Sequence, residues 1–147
     1  MDKLYIGIFY SLLAGMVVAL QNVFSTRVGD KIGMWETTFV VHLIGFIFAL
    51  IMVVIVGNGN LKNISEVNKI YLLGGVLGVF IIFSVTNSIT ALGASLTMSL
   101  MVISQLIFAT VIDTFGLFGT EKIPFDFTKL MGLIIMIVGV VVFKSKG

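Results

Sequence analysis

Long apolar runs, separated by short polar intervals, dominate the chain. Runs over 4–24, 35–56, 70–90, 94–112 and 129–143 each approach the roughly 20 residues that cross a hydrocarbon core. The second closes on Gly57-Asn58-Gly59-Asn60, a turn signal. The third and fourth are parted only by a break within 87–93, which predicts a very short, charge-free turn. The fifth is the shortest, with Phe125 and Phe127 before it and Lys144 after it. Backbone groups in lipid must bond within their own segment, so runs this apolar are helices and not strands. The pattern predicts an all-α integral membrane protein with five transmembrane helices in a single domain over 1–147.

Composition supports that reading. Of 147 residues, 59% are hydrophobic and 11% charged, against about 25% charged in a soluble domain. Without cysteine there is no disulfide, thiolate nucleophile or Cys-based metal site. The net charge of +2 and the lack of a basic cluster exclude a nucleic-acid partner, and the partner expected instead is membrane lipid. The first run exceeds the 7–15 apolar residues of a signal core, so a retained helix is expected. The connections over 57–69 and 116–128 are too small to fold alone. The first resembles a weak helix start at Ser65 to Asn68. The second mixes Phe with Glu121, Lys122 and Asp126, as suits a loop at the headgroups.

Five helices put the termini on opposite sides. Lys3, Lys62, Lys69, Lys122 and Lys129 then share one side, while Arg27, Lys31, Lys144 and Lys146 share the other. Orientation follows an excess of Lys and Arg on the cytoplasmic side, and this split provides almost none. Either a small bias suffices, or the chain inserts both ways and pairs with its inverted copy.

Polar and small residues mark the inward faces. Gly7, Ser11, Ala14, Val18, Gln21 and Ser25 recur three or four apart in the first helix, with Asn22 beside them. Gly74 and Gly78 form a small-xxx-small pair, followed by Ser84, Asn87 and Ser88. Ser104 and Gln105 lie near the middle of the fourth helix, among Thr97, Met98, Met101 and Ala109. Gly132 and Gly139 stand one heptad apart in the fifth. Such glycines let helices approach closely, so Gly74, Gly78, Gly132 and Gly139 are read as packing positions. A mid-membrane amide is costly unless satisfied by protein or water, so Gln21, Asn22, Asn87, Ser104 and Gln105 are candidates for lining a cavity. Met98, Met101 and Phe108 either join that lining or face lipid and core.

Three ionisable groups touch the membrane. Glu36 starts the second helix, where an acid favours the positive end of the dipole, yet intramembrane acids also serve as coupling groups. His42, the sole histidine, is either a proton-responsive group or a hydrogen-bonded packing residue. Asp113 ends the fourth helix against the dipole, which predicts a side chain reaching water or a lysine. One His and no Cys leave no metal site, and no cofactor is expected.

Gly15-Met-Val-Val-Ala-Leu-Gln21-Asn22 resembles the first-helix motif of the YdcZ-like branch of the drug/metabolite transporter superfamily. Gly75-Val-Leu-Gly78-Val-Phe80, Leu92-Gly93-Ala94 and the stretch from Ser104-Gln105-Leu106 to Asp113 resemble its third and fourth helices. The resemblance covers nearly the whole chain, and the Gly-Ala turn followed by Ser-Gln is its most specific part. It implies a five-helix half of a ten-helix inverted-repeat transporter. Such halves pair as inverted homodimers or with an oppositely oriented sister chain. Glu36 and His42 fall outside the pattern, and the 116–128 connection looks longer than the family's.

Together these readings predict a secondary transporter of a small organic solute or metabolite in a bacterial inner membrane. Two antiparallel copies would hold the substrate between them, with Glu36 or His42 as ion-coupling candidates. The alternative is a non-transporting membrane subunit or scaffold of a larger complex. An enzyme is not expected: there is no HExxH pair and no nucleophile elbow. No ring-forming charged stripe supports a channel.

Overall fold

The computed structural model describes residues 2–145. Lys146, counted above among the basic residues of one side, lies outside them. The chain is helical in five long pieces: α1 Asp2–Ile32, α2 Met34–Val56, α3 Gly74–Leu92, α4 Ala94–Phe115 and α5 Phe127–Lys144. Each is long and apolar enough to cross a membrane.

The helix ends differ from the ends of the apolar runs, for a physical reason. α1 continues through Arg27 to Ile32, because charge ends a membrane span without breaking a helix. At 31 residues it is about 46 Å long, well beyond a core of about 30 Å. It stops only at Gly33, whose φ of 98° and ψ of 159° suit glycine alone. The break between α3 and α4 is likewise one residue, Gly93, at φ 80° and ψ 162°. Asn87, within the expected break, stays helical and donates its amide to the Phe83 carbonyl at 2.7 Å.

The two turns are near copies. Thr37 donates its backbone N–H to the Gly33 carbonyl at 3.0 Å, and Thr97 does the same to Gly93 at 3.2 Å. Thr26 precedes Gly33 by the same interval as Thr86 precedes Gly93, and Thr26, Thr37, Thr86 and Thr97 are all buried.

Ahead of α3, two short 3-10 turns span Leu61–Glu66 and Lys69–Leu73. The caps are Asn60 and Asn68, whose side chains accept from Lys62 N–H at 3.0 Å and Ile70 N–H at 3.1 Å. Ser65 instead bonds back to the Lys62 carbonyl. After α4, Gly116 adopts the left-handed conformation, and a 3-10 turn follows at Leu117–Gly119. Asp126 caps α5, accepting the Lys129 N–H at 2.8 Å.

The described chain divides into two compact units, one ending at Ala91 and one beginning at Leu92. In the first, α1 and α2 pack directly against each other. α3 joins them through side chains, with Trp35 stacked on Phe83 at 4.1 Å between ring centroids. In the second, α4 packs against α5.

Burial is inverted relative to a soluble protein. Among the described residues only Ile82, Val85 and Ile103 are buried large hydrophobics, while seven polar side chains are buried. Apolar residues cover the outside of every helix, an arrangement that needs lipid as solvent.

Candidate functional site

The polar interior of the first unit is built from five hydroxyls and one amide. Asn22, Ser25 and Thr26 of α1, Thr37 and Thr38 of α2, and Thr86 of α3 are each at most 7% exposed. Four of them donate their hydroxyl proton within their own helix, to the carbonyl four residues back. Ser25 reaches Gln21 at 2.8 Å, Thr26 reaches Asn22 at 2.9 Å, Thr37 reaches Gly33 at 2.7 Å and Thr38 reaches Met34 at 2.9 Å. This local bonding satisfies the donors without a partner helix. Thr86 differs: its Oγ1 is buried with no hydrogen-bond partner among the described residues.

Close approach around this cluster depends on glycine. A Cβ on Gly29 would lie 2.9 Å from Met34 Sδ and 3.3 Å from Thr86 Cγ2. A Cβ on Gly78 would lie 3.3 Å from His42 Nε2. Gly78 thus meets another helix, whereas Cβ atoms on Gly74, Gly132 and Gly139 would meet nothing within 4 Å.

Of the expected cavity residues, only Asn22 is buried. Gln21, Asn87, Ser104 and Gln105 are exposed on the surface of the single chain. Ser104 and Gln105 sit at the middle of the 22-residue α4, the depth at which an amide most needs a polar neighbour. Met98 lines a groove of about 420 Å3 in the second unit, with Val102 of α4 and Met136, Gly139 and Phe143 of α5, while Phe108 is exposed.

Glu36 stands exposed in the first turn of α2, its carboxylate folded against Gly33 where a Cβ would collide with it. That places the negative charge at the positive end of the α2 dipole. His42 lies deeper, and its Nδ1 donates to the Thr38 carbonyl at 2.8 Å. Asp113 is half-buried, and its carbonyl receives the N–H groups of Gly116 and Ile123. The one ion pair among the described residues joins Arg27 to Asp30 at 3.7 Å, so Asp113 has no lysine partner there.

Sequence reading missed Thr26, Thr37, Thr38 and Thr86. Single threonines leave no periodic trace in an apolar helix. The available signal was spacing: Thr26-Gly33-Thr37 and Thr86-Gly93-Thr97 repeat the same intervals around both helix breaks.

No curated protein and no solved structure is similar enough to this chain to count as a match. Residues 6–142 do match one family, described as "Putative inner membrane exporter, YdcZ". That description is of a transporter and not of an enzyme, and five spanning helices fit a protein that crosses the inner membrane several times. With nearly its whole length matched, the chain belongs to the YdcZ family of the drug/metabolite transporters.

Proposed function

We propose that two copies of this chain, inserted in opposite orientations, form a secondary transporter for a small organic solute. The observation that carries the reading is the exposure of Ser104 and Gln105 at the centre of α4. In a single chain these groups would face hydrocarbon, where an unsatisfied amide costs several kcal/mol. A second copy enclosing a polar cavity removes that cost. The near balance of basic residues between the two sides supports insertion in both orientations.

In this reading Gln21, Asn87, Ser104 and Gln105 face the solute, and Asn22 backs the wall from within the first unit. The site opens to either side as one copy rocks against the other, the logic of inverted-repeat carriers. The family description supports outward movement. Glu36, exposed at the start of α2, is the carboxylate available for coupling to a proton or sodium gradient.

The test is solute movement by purified protein in liposomes, with and without an imposed gradient, across a broad metabolite panel. Movement that falls at least tenfold in Gln105→Leu supports the proposal. No movement of any solute, or wild-type rates in Gln105→Leu, points to a scaffold subunit instead.

A further inference from the structure

The connection from α2 to α3 carries apolar residues at a regular interval. Leu61, Ile64, Val67, Ile70 and Leu73 recur at every third position, and Lys62, Asn63, Ser65, Glu66, Asn68 and Lys69 fill the places between the first four. That interval has a structural meaning here, because Leu61–Glu66 and Lys69–Leu73 are 3-10 turns, in which residues three apart eclipse one another. Leu61 therefore shares a face with Ile64 in the first turn, and Ile70 shares one with Leu73 in the second. Val67 keeps the spacing across the extended link, where it and Asn68 have φ of −80° and −60°. The side-chain caps of Asn60 and Asn68 fix where each turn begins.

Neither the apolar row nor its charges are matched within the chain. The five apolar side chains are 43–72% exposed. Glu66 lies four positions after Lys62 and three before Lys69, yet the one ion pair among the described residues joins Arg27 to Asp30. Both ends of the connection are held at a membrane surface. α2 closes at Val56, α3 opens at Gly74, and the apolar span containing α3 already begins at Lys69. A segment tethered in this way lies at one headgroup layer. There acyl carbons can take an apolar row, and lipid phosphates can take the lysines beside it. Tyr71, exposed in the second turn, is a residue type enriched at that level.

We propose that residues 61–73 bind the bilayer surface, with the apolar row among the acyl carbons beneath the headgroups and Lys62 and Lys69 on anionic lipid phosphates. The assignment requires neither a second copy nor transport.

The experiment attaches a nitroxide to Leu61→Cys, Asn63→Cys, Ile64→Cys, Glu66→Cys, Val67→Cys or Ile70→Cys, one at a time, in a chain that has no native cysteine. The proteoliposomes contain phosphatidylcholine and phosphatidylglycerol. Oxygen, which concentrates among acyl chains, and a water-soluble nickel chelate report the surroundings of each label. The expected result is an oxygen-to-nickel collision ratio severalfold higher at 61, 64, 67 and 70 than at 63 and 66. Combining Lys62→Gln with Lys69→Gln, or omitting phosphatidylglycerol, should lower the ratio at 61 and 64. Free access of nickel to all six labels places the segment in water and overturns the proposal. Access of neither reagent to the row also overturns it, because a protein surface then covers the row. A ratio indifferent to both the lysine changes and the lipid overturns the pairing of lysines with phosphates.

Discussion

Gly29 brings α1 against α3 at Thr86: a Cβ at position 29 would stand 3.3 Å from Thr86 Cγ2 and 2.9 Å from Met34 Sδ. The methionine tip can swing aside, but the threonine methyl sits on a stiff, β-branched side chain in the helix. Gly29→Ala gains about 0.5–1 kcal/mol of helix propensity and incurs overpacking of about 1–3 kcal/mol. A net loss near 1 kcal/mol is expected from unfolding of the detergent-solubilised protein. Gly7→Ala is the control, because a Cβ there meets nothing within 4 Å; it should lose nothing.

Gly33 and Gly93 adopt nearly the same backbone conformation in different surroundings. Alanine at either position meets strain of about 1–3 kcal/mol, because that region is essentially restricted to glycine. At Gly33 the new Cβ also displaces the Glu36 carboxylate, whereas at Gly93 it meets nothing within 4 Å. Gly33→Ala should therefore lower the melting temperature more than Gly93→Ala. Adding Glu36→Ala should bring the two losses close together.

Thr86 and Thr37 are both fully buried, yet the isosteric change to valine should act differently on each. Thr86 Oγ1 lacks a partner, so Thr86→Val removes an unmet polar group and should be neutral or stabilising by about 1–3 kcal/mol. Thr37 donates to the Gly33 carbonyl, so Thr37→Val should cost about 0.5–1.5 kcal/mol. Paired denaturation curves in the same detergent decide the order. The opposite ranking would mean that Thr86 is satisfied in the membrane by something the single chain does not supply.

Gln105→Leu is expected to separate folding from the proposed transport. The glutamine is exposed in the single chain, so Gln105→Leu should leave the helix content and melting of the isolated protein unchanged within about 0.5 kcal/mol. Transport should fall at least tenfold. Loss of both together would assign Gln105 to the fold of the chain itself.

The five spans were legible because a bilayer imposes a length on apolar runs, and each run has its counterpart in α1 to α5. The ends were not, since hydrophobicity marks where lipid stops while backbone conformation marks where a helix stops. Arg27 was placed beyond the first span, but the helix continues through it to Ile32. Gly78 was read as a packing glycine from its spacing with Gly74, where a Cβ would itself meet nothing within 4 Å. The counterpart of Gly78, a histidine on another helix, could come only from the folded chain. Gln105 was visible as a polar residue at mid-depth. Its exposure in the single chain, which makes this cavity-lining candidate an argument for a partner, appears only in three dimensions.

Insertion in two orientations is the central claim, and labelling of Lys62→Cys tests it most directly. The chain has no native cysteine, and Lys62 is exposed in the connection between α2 and α3. A membrane-impermeant maleimide on intact cells should label about half the protein, with the remainder reacting only after permeabilisation. Labelling entirely from one side would contradict the inverted homodimer.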